Sequence, residues 1–372
     1  MFKTEIYKIV SRKITLVCAV MIFLFMAFQV HISTIGDEAV ISEGRAYVRS
    51  AAIEKDKEIA APYRGALTME KVRDIWNRYG EPVDHSSQDP HVDLEKGTAD
   101  PGFEDNYCNR FVADYFFEQE DSKDGGITYT PIGEERAAVY LDPDLYFTYA
   151  SGWFYYWDSY LTMFVLVGVL IIIGICPTCS EEYALRTADV ILTTQKGRGR
   201  LFGAKTGAAL LFSGITYWCF MGAQFFMHAA AYGTEGLRCS TIFTNTFQYY
   251  SHMSIGSTIG LMLLCGWLVQ SALTVLVIAV SARSRQTFTS VLWSLFAFLM
   301  PPALVIIVLN QLRRTLVVRL LTFLLYTMPS MMFPARFLEY PANYRLVQAG
   351  VLVVAAGGAA VYAARRYCRH QV

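Results

Sequence analysis

Two stretches place reactive residue types at spacings that chemistry uses. Gly199-Arg-Leu-Phe-Gly203-Ala-Lys205-Thr206 comes near a phosphate-binding loop. Such a loop needs four residues between its glycines and Lys directly after the second, so that backbone N–H groups and the ammonium cradle phosphate. Here three residues intervene, Ala204 precedes Lys205, and no buried strand leads in, so this chain is not expected to bind ATP. Cys176-Pro-Thr-Cys179 has the C-x-x-C spacing of redox and zinc motifs, but no second pair or His pair accompanies it. His85 and His91 stand among Asp84, Asp89 and Asp93 in a polar stretch that reads as a solvated loop. H-E-x-x-H, G-x-S-x-G and EF-hand spacings do not occur. The chain is expected to be no enzyme, with neither catalytic residues nor a cofactor or metal of its own.

Charge arranged on a helix is a different kind of signal. Ser180 to Lys205 lies between two apolar runs. Ser180 can act as N-cap, with Glu181 and Glu182 at the positive end of the dipole. Ala184, Ala188, Ile191 and Leu192 share one face. Glu182, Arg186 and Asp189 share another, where they can pair. Gly197 and Gly199 end the helix, predicted over 180–200, in a basic run of Lys196, Arg198, Arg200 and Lys205. Fixed between two membrane spans, such a helix can transmit force from a soluble partner, or it can lie at the interface without one. Gln224, Gln270 and Ser271 are polar groups inside apolar runs, suited to interhelical hydrogen bonds or to a substrate path.

The elements that must position these residues are mostly membrane spans. Of 372 residues, 54% are hydrophobic and 14% aromatic, which excludes a disordered chain. The zero net charge hides a segregation. Ile32 to Asp158 holds 26 acidic and 12 basic residues, a net of −14; the remainder holds 6 and 20, a net of +14. Lys and Arg stay on the cytosolic side of membrane proteins. The sequence therefore predicts an α-helical polytopic membrane protein with six spans and both termini cytoplasmic. Residues 1–31 form an interfacial helix and first span, 32–158 a mainly helical extracellular domain, and 159–372 the remaining spans. Nucleic acid is not an expected partner.

Within 32–158, helices are predicted at Asp37–Ala61, Thr68–Tyr79 and Asp105–Glu120, and a short strand at Ile127. Nine aromatics fall among the 15 residues Tyr146 to Tyr160, as a headgroup belt or as a platform for a lipophilic substrate. Cys108 and Cys239, both placed outside, are candidates for a disulfide. Pro301-Pro302 should kink or break the fifth span. Val317 to Phe333, with Arg319 inside it, either re-enters, giving six spans, or crosses, giving seven.

Glu181-Glu182 after the second span, Leu192-Thr193-Thr194, Arg198, and Lys205 opening the third span resemble the cytosolic signature of type-2 (ABC-2) ATP-binding-cassette exporter permeases. Gln195-Lys196-Gly197 departs from the Pro that often follows the Leu-Thr turn in that family. The resemblance implies a permease subunit in the plasma membrane of a bacterial cell. It implies ATP and Mg on a separate cytosolic ABC ATPase, and a second permease, identical or homologous. It also implies ATPase coupling through Glu181, Glu182, Arg186, Asp189, Thr193 and Arg198. Family members move lipids, peptides, drugs, polysaccharides or sodium. A non-transporting membrane receptor or scaffold with a ligand-binding ectodomain is the alternative.

Overall fold

The computed structural model describes residues 1–82, 92–94, 96–121, 127–187, 199–243, 253–307 and 342–368, with 315, 317–318, 321 and 325 besides. The helices in chain order are α1 (Phe2–Val10), α2 (Lys13–Phe28), α3 (Ser50–Ala60), α4 (Met69–Tyr79), α5 (Tyr107–Phe116), α6 (Glu134–Tyr140), α7 (Ser151–Ile175), α8 (Pro177–Ala184), α9 (Gly199–Tyr232), α10 (Ile255–Arg283), α11 (Thr287–Ile307) and α12 (Ala342–Cys368). The strands are β1 (Ala39–Ser42), β2 (Arg45–Val48), β3 (Val92–Asp93), β4 (Thr98–Ala99), β5 (Phe117–Asp121) and β6 (Ile127–Pro131). Among the described residues, six helical stretches are long and apolar enough to cross a membrane: Lys13–Ile32, Ser151–Ala184, Gly199–Tyr232, Ile255–Arg283, Thr287–Leu304 and Leu346–Cys368. The chain divides into two compact units. The first comprises Met1–Met26, Tyr160–Ala223 and Leu261–Val372; the second comprises Ala27–Ser159 and Gln224–Gly260.

The second unit mixes helix and sheet, which corrects the expectation of a mainly helical 32–158. Where one helix was predicted over Asp37–Ala61, β1 and β2 pair antiparallel from Ala39↔Val48 to Ser42↔Arg45, and only α3 is helical. The turn explains it. Glu43 and Gly44 have φ of 56° and 74°, the positive values that a two-residue type I′ hairpin demands and a helix forbids. The sheet order is β1-β2-β4-β3. Helix α4 lies where it was expected, with Thr68 Oγ1 accepting the Lys71 N–H at 3.3 Å and Gly80 in a positive-φ cap at 66°. Helix α5 starts at a capping box, in which Asn106 and Asn109 serve each other's backbone N–H groups. It stops at Phe116, four residues short of the prediction, because Phe117–Asp121 pairs with Ile127–Pro131 as β5 and β6. Phe117 also stacks on Trp76 with centroids 3.9 Å apart.

Most of the aromatic run is turned into the protein, with Tyr146 and Tyr155 left exposed. Phe147, Tyr149, Trp153, Tyr156, Trp157 and Tyr160 are all buried. Trp153 donates its indole N–H to Gly233 O at 3.2 Å, so these rings build protein core. Cys108 and Cys239, the candidates for a disulfide, are both buried and free in this structure. Burial pushes the Cys239 thiol up to about 12 and the Cys108 thiol well above its usual value, which withholds the thiolate that exchange needs.

In the first unit the long helices pack at close quarters. Tyr160 and Tyr217 share a hydroxyl hydrogen bond of 2.9 Å, and a Cβ at Gly266 would lie 2.2 Å from the Tyr160 oxygen. Only glycine leaves room there. Of the kink or break expected at Pro301-Pro302, the break does not occur: helix α11 continues through the pair to Ile307. Apart from 317–318, 321 and 325, Val317–Phe333 lies outside the described residues.

Candidate functional site

The site grows from the start of α8. Pro177 occupies its first turn, where a missing N–H costs nothing. The next orphaned donors are served from another helix. Ser281 Oγ of α10 accepts the N–H groups of Cys179 and Ser180, at 3.1 and 3.2 Å, and donates to Cys176 O at 2.5 Å. Ser180 is therefore not the N-cap; its own hydroxyl donates to Cys176 O at 2.8 Å, one turn inside the helix. Pro177 sets the start three residues earlier than predicted.

This start turns Glu182 inward. Lys205, near the start of α9 and 1% exposed, donates to Glu182 Oε1 at 2.7 Å, to Glu5 Oε2 at 3.1 Å and to Thr178 O at 2.8 Å. Three acceptors around one ammonium use all its donors. The Tyr367 hydroxyl of α12 donates to Glu182 Oε2 at 3.1 Å. Lys8 pairs with Glu5 at 2.9 Å and stands 3.8 Å from Glu182. One buried charge cluster thus ties together α1, α8, α9 and α12. Burial alone would raise the Glu5 carboxyl, but Lys205 and Lys8 outweigh it and hold the group below its usual value.

Beside the cluster a cleft of about 500 Å³ opens between α1 and α8. Glu5, Lys8, Arg12, Thr178, Glu181, Glu182, Leu185 and Thr187 line it among others. Arg12 pairs with Glu181 and donates to Gly174 O at 3.0 Å. Three carboxylates, Glu5, Glu181 and Glu182, face two cations, Lys8 and Arg12, on its walls, so the cleft suits a polar protein surface better than a small anion. Among the described residues, no group of three or more His, Cys, Asp or Glu side chains is placed to hold a metal ion.

The predicted coupling residues are only partly brought together. Glu181 and Glu182 share the cleft. Arg186 does not complete a charged helix face with Glu182, because α8 ends at Ala184 and Arg186 sits in a turn at φ 56°. It is exposed. Asp189, Thr193 and Arg198 lie outside the described residues, as do Asp84, His85, Asp89 and His91. Gln224 belongs to the second unit, whereas Gln270 and Ser271 belong to the first. Gln270 donates to Phe164 O at 2.9 Å and Ser271 to Trp267 O at 2.8 Å, as interhelical and intrahelical bonds. Gln224 is buried, and neither end of its amide has a partner among the described residues.

Glu5, Lys8, Arg12 and Tyr367 were not foreseen as site residues. One signal was available: Glu5 is the sole acid among the first 36 residues, set in a basic helix. A lone carboxylate there asks for a buried partner. No protein-family model matches the chain, and none of the curated proteins or solved structures compared with it does.

Proposed function

We propose that this chain is the permease subunit of an ATP-driven exporter of the type-2 ABC class. A separate cytosolic ATPase docks at the α1–α8 cleft. The observation that carries the reading is the Lys205 cluster. A push on α8 is passed at once to α1, α9 and α12 through Glu182, Glu5 and Tyr367. Ion pairs buried on one ammonium are stiff couplers, since separating them strands a charge. ATP and Mg belong to the partner, and two permeases, identical or homologous, complete the transporter. The net −14 of 32–158 against +14 elsewhere supports an external second unit, cytoplasmic termini and a plasma-membrane location.

The test is purification with candidate ATPases. Arg186 is exposed and takes no part in the buried cluster, so Arg186→Glu changes the docking surface without disturbing the core. Like charges across an interface cost several kcal/mol. The variant is expected to insert normally and lose its ATPase. Glu182→Lys is not a clean test, because it would place two ammonium groups in one buried site. If Arg186→Glu and Glu181→Lys both keep a bound ATPase and full substrate-stimulated hydrolysis, the cleft is not the coupling surface. A receptor or scaffold would instead copurify with no P-loop ATPase.

A further inference from the structure

Helices α10, α11 and α12 of the first unit leave a groove of about 360 Å³ between them. Leu273, Val277 and Val280 of α10, Ala297 and Phe298 of α11, and Tyr362 of α12 line it among others. A single charged residue stands on its walls: Arg283, the last residue of α10. Arg283 is exposed, and no acidic residue lines the groove with it. Helices α10 and α12 end side by side, because Ser281 of the one and Tyr367 of the other both bond to α8. The exposed Arg365 and Arg366 in the last turn of α12 therefore add positive charge at the Arg283 end.

Two lengths agree. Leu273 stands ten positions before Arg283, so the groove follows α10 for about 15 Å at about 1.5 Å per residue. The hydrocarbon core of a bilayer is about 30 Å thick, which makes one leaflet about 15 Å deep. The groove thus runs from a guanidinium to the depth at which an acyl chain of the same leaflet ends. Tyr362, which is exposed, suits the headgroup level, where tyrosine rings collect. We propose that this groove is a site for an anionic phospholipid. Its phosphate meets Arg283, and one acyl chain lies along Val280, Val277 and Leu273.

Charge complementarity selects the headgroup. Arg forms strong, bidentate hydrogen bonds to phosphate. A zwitterionic lipid brings its own ammonium group, which the neighbouring arginines repel, whereas an anionic lipid brings none. One guanidinium beside an anionic headgroup changes affinity by about fivefold. A larger groove, of about 480 Å³, lies between α9, α10 and α12 and has no charged residue on its walls. It offers an acyl chain the same apolar contact without a headgroup partner, and so serves as an internal comparison.

The test is photolabelling of the full chain in phosphatidylcholine nanodiscs doped with a phosphatidylglycerol that carries a diazirine on its acyl chain. Label is expected at 273–283 and 294–298. Unlabelled phosphatidylglycerol should displace it about fivefold better than phosphatidylcholine does, and inorganic phosphate should not displace it. Label at 349–360, on the uncharged groove, should show no such preference. Arg283→Gln should abolish the preference, while Arg285→Gln should keep it, since Arg285 is exposed but does not line the groove. Ala297→Trp should fill the groove and remove the label. If that variant does not fold, Arg283→Gln, an exposed substitution, decides. An unlabelled groove in the wild type overturns the site, because another segment or a second copy then fills it. Equal competition by the two lipids, displacement by phosphate alone, the same preference at 349–360, or equal effects of the two arginine variants overturns it as well. No ATPase or transport enters the readout, so the lipid site and the exporter reading fail separately.

Discussion

Lys205 is the buried cation of the charge cluster in the first unit. Its ammonium is buried with Glu5, Glu182 and the Thr178 carbonyl, and removing it leaves two buried carboxylates with the half-exposed Lys8 as their cation among the described residues. Breaking a buried pair from one side costs about 3–5 kcal/mol. Lys205→Met is expected to lower the melting temperature strongly in detergent. Adding Glu5→Gln and Glu182→Gln should recover part of the loss, because neutral groups are cheaper to bury. A Lys205→Met protein that melts with the wild type would dismiss the cluster as a structural tie. Glu5 gives a second handle. Its carboxyl is held low, so its contribution is present above the usual carboxylate range and is lost as pH falls through the depressed value. Docking of α1, followed by exchange of its amides, should weaken only on the acid side, and Glu5→Gln should flatten that limb.

At the scale of elements, α8 is a helix of eight residues capped by a neighbour. Isolated helices that short are not stable in water, so its tertiary contacts must hold it. Ser281→Ala leaves the N–H groups of Cys179 and Ser180 and the Cys176 carbonyl without that hydroxyl. Each buried group left unsatisfied costs about 1–3 kcal/mol. The expected outcome is faster tryptic cutting after Arg186, which lies in the turn beyond α8. Arg186→Glu, by contrast, should change stability by about 0.5 kcal/mol or less, as surface substitutions do. Unchanged cutting in Ser281→Ala would mean that α8 holds without its cap. The same logic explains why the periodicity of 180–200 misplaced the helix. Ser, Glu and Glu form a good start signal, but Pro177 and the Ser281 hydroxyl offer an earlier one, and the second lies 101 positions away.

At the scale of the molecule, six apolar helices and the charge segregation make a topology that labelling can test. In a Cys219→Ser background, Met69→Cys and Leu185→Cys place thiols at exposed positions on either side of the second long apolar stretch. An impermeant maleimide should label Met69→Cys in intact cells and Leu185→Cys only after lysis. Labelling in the reverse pattern would invert the proposed orientation. A reporter fused after Val372 should be active only in the cytosol. Activity outside would mean an odd number of crossings and favour the seven-span reading of Val317–Phe333.

The amino-acid order by itself determined the long helices and their approximate bounds. Length and hydropathy are local quantities, and about twenty apolar residues suffice to cross a bilayer. It also located α4, whose Thr68 and Gly80 caps are local signals. Only the tertiary structure decided the rest. The β1–β2 hairpin follows from positive φ at Glu43 and Gly44, and glutamate does not announce that conformation. The burial of Trp153, Tyr156 and Tyr160 reflects the neighbours that cover them, which hydropathy cannot distinguish from lipid. Glu182 was legible as charged but not as buried. Its partners are Lys205, 23 positions away, and Tyr367, 185 positions away, and spacing along one helix carries no record of pairs at such separations. Asp56, Asp105 and Arg110 meet for the same reason: the chain between Asp56 and Arg110 folds through 54 positions before one guanidinium faces both acids.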